Sequence, residues 1–266
     1  MALKNKKSLG QNWLHDRPTL ETIADLAADF PESALENPPR LCVEIGPGLG
    51  TLTSSLLKRF KKVLALELDT MLAENLPKSF PGKNLEVKNV DVLAFDFDHE
   101  IHEPFVVAGN IPYYITSKIL KSLLSLKTPP EKIVLLVQKE VAEKLCDPRH
   151  SSSLSLYVDN LAAASLGPVV KRELFTPSPK VDSRVLVLEP RVSPKLPPAL
   201  APEVENLIKL AFSSPRKKLL KNLAPLGLSA SELITLLSIQ DLSPNARPSD
   251  LSLENYLNLV KTLKTR

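Results

Sequence analysis

Leu41-Cys42-Val43-Glu44-Ile45-Gly46-Pro47-Gly48-Leu49-Gly50-Thr51-Leu52-Thr53 contains the change of pattern from which the rest of the chain is read. A short apolar run meets a turn with glycine at every second place, and apolar residues then recur at helical spacing through Leu56 and Leu57. That order is strand, Gly-rich turn, helix. Glycines at a strand end let backbone approach a ligand closely. A second strand, Val63-Leu64-Ala65-Leu66, ends in Glu67-Leu68-Asp69 about 20 residues on, where an acid holds ribose hydroxyls. The spacing suits an adenosine-containing cofactor. Gly46, Gly48 and Gly50 give G-x-G-x-G, short of the full dinucleotide fingerprint, and the acidic Glu44 repels a pyrophosphate. S-adenosylmethionine, with its sulfonium and amino group, meets that electrostatic condition, and NAD does not.

Two further strand patterns follow. Leu85-Glu86-Val87-Lys88-Asn89-Val90 leads into Asp91, and Phe105-Val106-Val107-Ala108 leads through Gly109 into Asn110. In open parallel α/β sheets the crevice lies at the carboxyl ends of the strands, so Glu44, Glu67, Asp91 and Asn110 are expected on one rim. Asp91 suits an adenine amino group, or equally a turn or helix cap. Asn110-Ile111-Pro112-Tyr113 is a candidate amine-recognition loop. The Asn side-chain oxygen and the Ile111 carbonyl accept hydrogen bonds from one planar amino group, Pro112 stiffens the backbone, and Tyr113 offers a ring face to a flat base. The plainer alternative is a strand end with a Tyr-rich turn.

Beyond the loop the pattern predicts a helix from Thr116 to Leu126, a buried strand over Lys132–Val137, a short helix ending near Cys146 and a final strand at Val185–Leu188. Leu154-Ser155-Leu156-Tyr157-Val158 fits a strand or a helix start. Leu174 to Ser183 is a proline-stiffened loop carrying Phe175, which is either a second stacking face for the base or a core aromatic at a strand end. Ahead of all this, Lys4 to His15 reads as an ordered arm in which Gln11 and Asn12, beside Trp13, suit a lid over a polar ligand.

At 266 residues and 43% hydrophobic content the chain can bury one large core and a smaller module. No apolar run reaches membrane-spanning length and no signal-type segment follows the first lysines, so a cytoplasmic protein without a membrane partner is expected. Cys42 and Cys146 sit in strand and helix patterns without metal-ligand spacing, and neither a disulfide nor a metal is expected. The organisation read from composition is a domain over residues 1–190, a proline-rich linker over 191–202 and a helical domain over 203–266. In the last, Ser214-Pro215 is expected to open a helix with Arg216, Lys217 and Lys218 in its first turn. These cations oppose the macrodipole there, so the cluster, with Lys4, Lys6 and Lys7, is a candidate contact for a nucleic-acid backbone.

Taken together, Gly10-Gln11-Asn12-Trp13-Leu14, Glu44-Ile45-Gly46-Pro47-Gly48, Glu67-Leu68-Asp69, Asp91, Asn110-Ile111-Pro112-Tyr113, Gln138-Lys139-Glu140-Val141 and Phe175 through Ser183 resemble the KsgA-type small-subunit ribosomal RNA adenine dimethyltransferases over nearly the whole chain. The resemblance implies a class I, Rossmann-like methyltransferase fold, with a mostly parallel seven-stranded sheet and a small C-terminal helical RNA-binding domain. It implies that Asn12, Leu14, Gly46, Glu67, Asp91 and Asn110 hold S-adenosylmethionine, released as S-adenosylhomocysteine. The target adenine then sits on Asn110, Ile111, Pro112, Tyr113 and Phe175. The implied partner of this monomer is small-subunit (16S) rRNA in an immature subunit, dimethylated at two adjacent adenines of a 3'-terminal hairpin during ribosome biogenesis. The chain departs from the family at Leu9 and Trp13, where Phe is usual, at Ser151-Ser152, where Tyr-Gly is usual, and at Pro215-Arg216, where two arginines are usual. The competing readings are a resistance-type large-subunit rRNA methyltransferase and a non-catalytic assembly or transcription factor on the same fold. Protein glutamine methylation, which uses a similar loop, is disfavoured by the basic second domain.

Overall fold

The computed structural model describes residues 10–30 and 40–265, so Lys4, Lys6 and Lys7 lie outside the described residues. The chain forms two compact units: one holds the described residues up to Ala142 with Ala163–Pro190, the other Glu143–Ala162 with the described residues from Arg191 on.

The first unit begins with β1 (Trp13–Leu14) and α1 (Arg17–Ala28), and continues with β2 (Leu41–Ile45), α2 (Thr51–Leu56), β3 (Lys62–Glu67), α3 (Thr70–Asn75), β4 (Leu85–Asn89) and α4 (Phe97–Glu100). β5 (Phe105–Asn110), α5 (Thr116–Leu124), β6 (Lys132–Gln138) and α6 (Lys139–Cys146) follow, the last running past the unit's edge. β7 (Ala162–Val170), β8 (Phe175–Thr176) and β9 (Ser183–Pro190) come after a helix that lies in the second unit. Seven strands make one sheet in the order β4-β3-β2-β5-β6-β9-β7, parallel from β4 to β6 and antiparallel at β6–β9. All five residues of β2 are buried, as in a sheet covered on both faces. On one face Leu20, Ile23, Ala24 and Ala27 of α1 and Leu52 and Leu56 of α2 share a core with Cys42, Val106, Ala108, Val134 and Leu136. α1 is capped by Asp16, which accepts from the Thr19 amide at 3.0 Å, with Pro18 in the first turn.

Of the two alternatives open for Leu154–Val158, the helix forms: Ser153–Leu161 is α7, opened by a capping box in which Ser152 and Ser155 exchange side-chain and backbone bonds. The serine departure at Ser152 therefore serves as a helix cap. β7 escaped the hydrophobic pattern because it is an edge strand with an exposed face and with Gly167-Pro168 inside it. Gly167 is needed for space, since a Cβ there would stand 2.9 Å from Val185 Cβ.

The second unit comprises α7 and α8 (Ala201–Ala211), α9 (Leu219–Leu223), α10 (Ala230–Ser238) and α11 (Leu253–Lys264). Its core joins Leu156 of α7 to Leu196, Val204, Leu207, Leu236, Leu237 and Tyr256. Glu143–Ala162, counted with the first domain from composition, packs here because burial, not the proline punctuation, sets the boundary. The proline-rich segment is strapped to α7 as well: the Lys195 amide donates to the Asn160 carbonyl at 3.0 Å and the Leu196 amide to Asn160 Oδ1 at 2.9 Å. α10 opens with a capping box of Ser229 and Glu232. The expected helix from Pro215 does not form. Residues 214–217 make a turn, with the Lys217 amide bonded to the Ser214 carbonyl at 2.9 Å, and α9 begins only at Leu219. Arg216, Lys217 and Lys218 thus precede a five-residue helix, and the macrodipole argument for them falls away, although all three are exposed. Among the described residues no helix is long and apolar enough to cross a membrane.

Candidate active site

Strand register places the polar residues level with one another. Ile45 is paired with Leu66 and Gly109, Glu67 with Asn89, and Asn110 with Leu136, so Gly46, Glu67, Asp91 and Asn110 leave the sheet along one edge. A cleft of about 980 Å³, open solvent at its mouth included, is lined by all four. Asn12, Leu14, Ile111, Pro112 and Tyr113 line the same cleft. Nine of the residues expected at the site are therefore brought together.

The arm straps this cleft across three strand ends. Asn110 Nδ2 donates to the Asn12 carbonyl at 2.8 Å, and Gln11 Nε2 donates to Asp69 Oδ2 at 3.4 Å. Trp13, the only tryptophan, lies against Gly48, where an added Cβ would stand 3.1 Å from the indole Cδ1 and Nε1. Gly46, Gly48 and Gly50 take φ of 66°, 57° and 81°, the left-handed region that glycine enters without strain, so the turn needs its alternating glycines. β1 is held by antiparallel pairing with β8, Leu14 opposite Phe175.

Two carboxyls are tuned by burial. Glu44 is 1% exposed, and burial pushes its carboxyl up to about 8, against a lowering bond from Thr53 Oγ1 at 2.6 Å. In the free protein Glu44 is therefore mostly protonated at neutral pH, and its negative charge forms when a cation lies beside it. Burial also raises Glu67, partly offset by amides of Asp69 at 2.8 Å and Gly48 at 3.0 Å. Asp91 is exposed, with one oxygen accepting from the Leu93 amide at 2.9 Å. Acids along this rim, with the backbone of the Gly-rich turn, suit a ligand that has hydroxyls, an amino group and a positive charge.

Asn110 is oriented. Its Nδ2 is committed to Asn12, and among the described residues no group donates to Asn110 Oδ1 or to the Ile111 carbonyl. Two adjacent unmet acceptors on a cleft wall are what an amino group requires.

Phe175 is not part of this wall. It is 3% exposed and packs in the sheet core with Leu14, Leu20 and Val185, so the stacking role is corrected to the core alternative. Pairing in β8 turns the ring inward. Leu68, Val92, Tyr114 and Ile115 also line the cleft, and sequence reasoning passed over them. Leu68 and Val92 each follow the acid at a strand end, and that offset was the available signal. Gly109 was passed over as well: a Cβ on it would stand 2.6 Å from the Ile45 carbonyl oxygen. Gly109→Ala is expected to push β5 from β2 at the cleft, to cost about 1–3 kcal/mol, and to weaken cofactor binding. Denaturant unfolding with Trp13 fluorescence titration checks this, and unchanged values of both would contradict the close approach.

A cleft at the carboxyl ends of a seven-stranded sheet, with β9 antiparallel, Glu67 ending β3, Asp91 just beyond β4 and an Asn-Ile-Pro-Tyr loop leaving the end of β5, defines a class I S-adenosylmethionine-dependent methyltransferase. A family model described as ribosomal RNA adenine dimethylase matches residues 2–265. The chain belongs to that family, and is an rRNA adenine dimethyltransferase. It is 38% identical to "Ribosomal RNA small subunit methyltransferase A" of Synechocystis sp., covering 100% of this chain and 98% of that one. It is 32% identical to the protein of that name from Mycoplasma mycoides subsp. mycoides, covering 99% of each. Among solved structures it resembles the 23S rRNA methyltransferase ErmE (TM-score 0.76, 31% identity, 95% of this chain and 99% of that one). It also resembles a dimethyladenosine transferase from Plasmodium falciparum (TM-score 0.74, 26% identity, 95% and 97%).

Proposed function

We propose that the protein dimethylates the exocyclic amino groups of two adjacent adenines in a 3'-terminal hairpin of small-subunit rRNA, with the Asn-Ile-Pro-Tyr loop holding each adenine in turn. The unmet acceptor pair at Asn110 Oδ1 and the Ile111 carbonyl carries the reading of the loop. The names of the curated relatives support the choice of subunit. In this reading the protein acts as a cytoplasmic monomer on an immature subunit.

When bound, S-adenosylmethionine supplies a methyl group made electrophilic by its sulfonium, and is left as S-adenosylhomocysteine. Asp91 would hold its adenine, Glu67 its ribose, and the backbone of Asn12, Leu14 and Gly46 its amino-acid end. The target nitrogen is a poor nucleophile because its lone pair is delocalised into the ring. Accepting its two hydrogens at Asn110 and Ile111 favours a pyramidal nitrogen with the lone pair aimed at the methyl. Positioning and fixed dipoles then supply most of the acceleration. As the nitrogen–carbon bond forms the carbon–sulfur bond breaks, and the methylated nitrogen, then cationic, releases one proton to water and keeps a single hydrogen, so the second round engages one acceptor only. Tyr113 is the stacking wall, and Pro112 fixes the turn between it and the acceptors.

Offering labelled cofactor with immature small subunits and large subunits in parallel tests the choice of partner: label is expected in the small subunit, and label confined to the large subunit overturns it. The exposed Arg216, Lys217 and Lys218 are assigned to phosphate contact. Replacing all three by alanine is expected to flatten the dependence of log affinity on log salt by about 2–3. Binding isotherms at several salt concentrations check this, and an unchanged slope removes the cluster from the interface.

A further inference from the structure

The Tyr113 hydroxyl and Ser183 Oγ lie 2.6 Å apart. Ser183 is fully buried and Tyr113 half-buried, and among the described residues neither hydroxyl has another partner, so each satisfies the other. The serine cannot follow a moving ring. It occupies the last rung of the β6–β9 ladder, opposite Gln138, and the carbonyl of the preceding Asp182 accepts from the Lys139 amide at 3.0 Å. At its other end Tyr113 is held through its backbone: its carbonyl accepts from Thr116 Oγ1 at 3.0 Å, and the Ile115 amide closes the turn on the Pro112 carbonyl at 3.2 Å. The ring is thus pinned at both ends while it lines the cleft.

We propose that Ser183 is a positioning residue for methyl transfer, which holds the Tyr113 ring as a pre-set wall for the target adenine. The inference rests on the reading of Asn110–Tyr113 as the adenine-holding loop. It gives the Phe175–Ser183 loop a part at the site through its last residue, although its aromatic is in the core. Without the bond the ring must be ordered each time a base stacks. Freezing one side chain at binding costs about 3- to 10-fold in rate.

A double-mutant cycle separates positioning from general structural support. Ser183→Ala, Tyr113→Phe and the double variant are compared by single-turnover methylation of immature small subunits, with cofactor affinity from Trp13 fluorescence and thermal unfolding measured alongside. Each single variant is expected to slow transfer about 3- to 10-fold with cofactor affinity unchanged, and the double variant to be no slower than the slower single. Multiplying effects, or a Ser183→Ala rate equal to wild type, overturn the inference. Tyr113→Phe reads the same bond should Ser183→Ala lose stability. Tyr113→Ala separates the two levels of the argument. If it transfers at the full rate, the reading of the loop falls and Ser183 with it. If it is inactive while the cycle is additive, only the role of Ser183 fails.

Discussion

Asn110→Ala is expected to lower single-turnover methyl transfer by about 100-fold or more, the range seen when a fixed transition-state hydrogen-bond partner is removed. The expectation comes from the orientation of the amide. With Nδ2 given to the Asn12 carbonyl at 2.8 Å, Oδ1 points away from that partner, unmet by any donor among the described residues. Alanine removes the acceptor and also one tie to the arm, so cofactor affinity should fall by no more than about 10-fold, the worth of one net hydrogen bond. The rate at saturating cofactor separates the two losses. A near-normal rate there would contradict the acceptor role, and a loss confined to cofactor affinity would make Asn110 an anchor of the arm only.

Glu44→Gln is expected to make the cofactor-free protein more stable in alkali while weakening its hold on a cationic ligand. The folded-state carboxyl is raised from 4.5 to about 8 by burial. A group raised on folding contributes stability that is fully present below the unfolded value and is lost as pH rises through the folded one. Between pH 4.5 and about 8, wild type should therefore lose on the order of 5 kcal/mol from this residue. The glutamine variant, which keeps an acceptor for Thr53, should lack that slope. Glu67, also raised by burial, leaves a smaller slope of the same sign in both proteins. A cation in the cleft favours ionised Glu44, so wild-type affinity for S-adenosylmethionine should rise with pH up to about 8 and the variant's should not. Unfolding and binding measured from pH 5 to 8.5 decide it; parallel stability curves would show that Glu44 is ionised at neutral pH.

These predictions concern residues that the sequence located with different success. Glu44, Glu67, Asp91 and Asn110 were legible because a parallel sheet puts its strand ends on one side, and that rule needs only strand order and polarity. The charge state of Glu44 was not legible, since it depends on burial by both faces of the sheet. Phe175 has the same sequence surroundings whether its ring faces a ligand or the core, and only its pairing with Leu14 in β1–β8 decides between them. The helix expected at Pro215 failed because a proline after serine opens a turn as readily as a helix, and the pattern beyond it is short. Gly109 gave no local signal at all: the need for it lies in the neighbouring strand, at the Ile45 carbonyl. The same holds for Ser183 and Tyr113, 70 residues apart.

In the proposed function the Asn110–Tyr113 loop presents adenine amino groups of small-subunit rRNA for two methylations each. Immature small subunits incubated with the protein and methyl-labelled cofactor, then digested and mapped by mass spectrometry, test it most directly. The expected result is dimethyladenine at two neighbouring positions of one 3'-terminal hairpin, absent with Asn110→Ala. Label on another base, on large-subunit RNA alone, or at undiminished level with the Asn110 variant would overturn the proposed function.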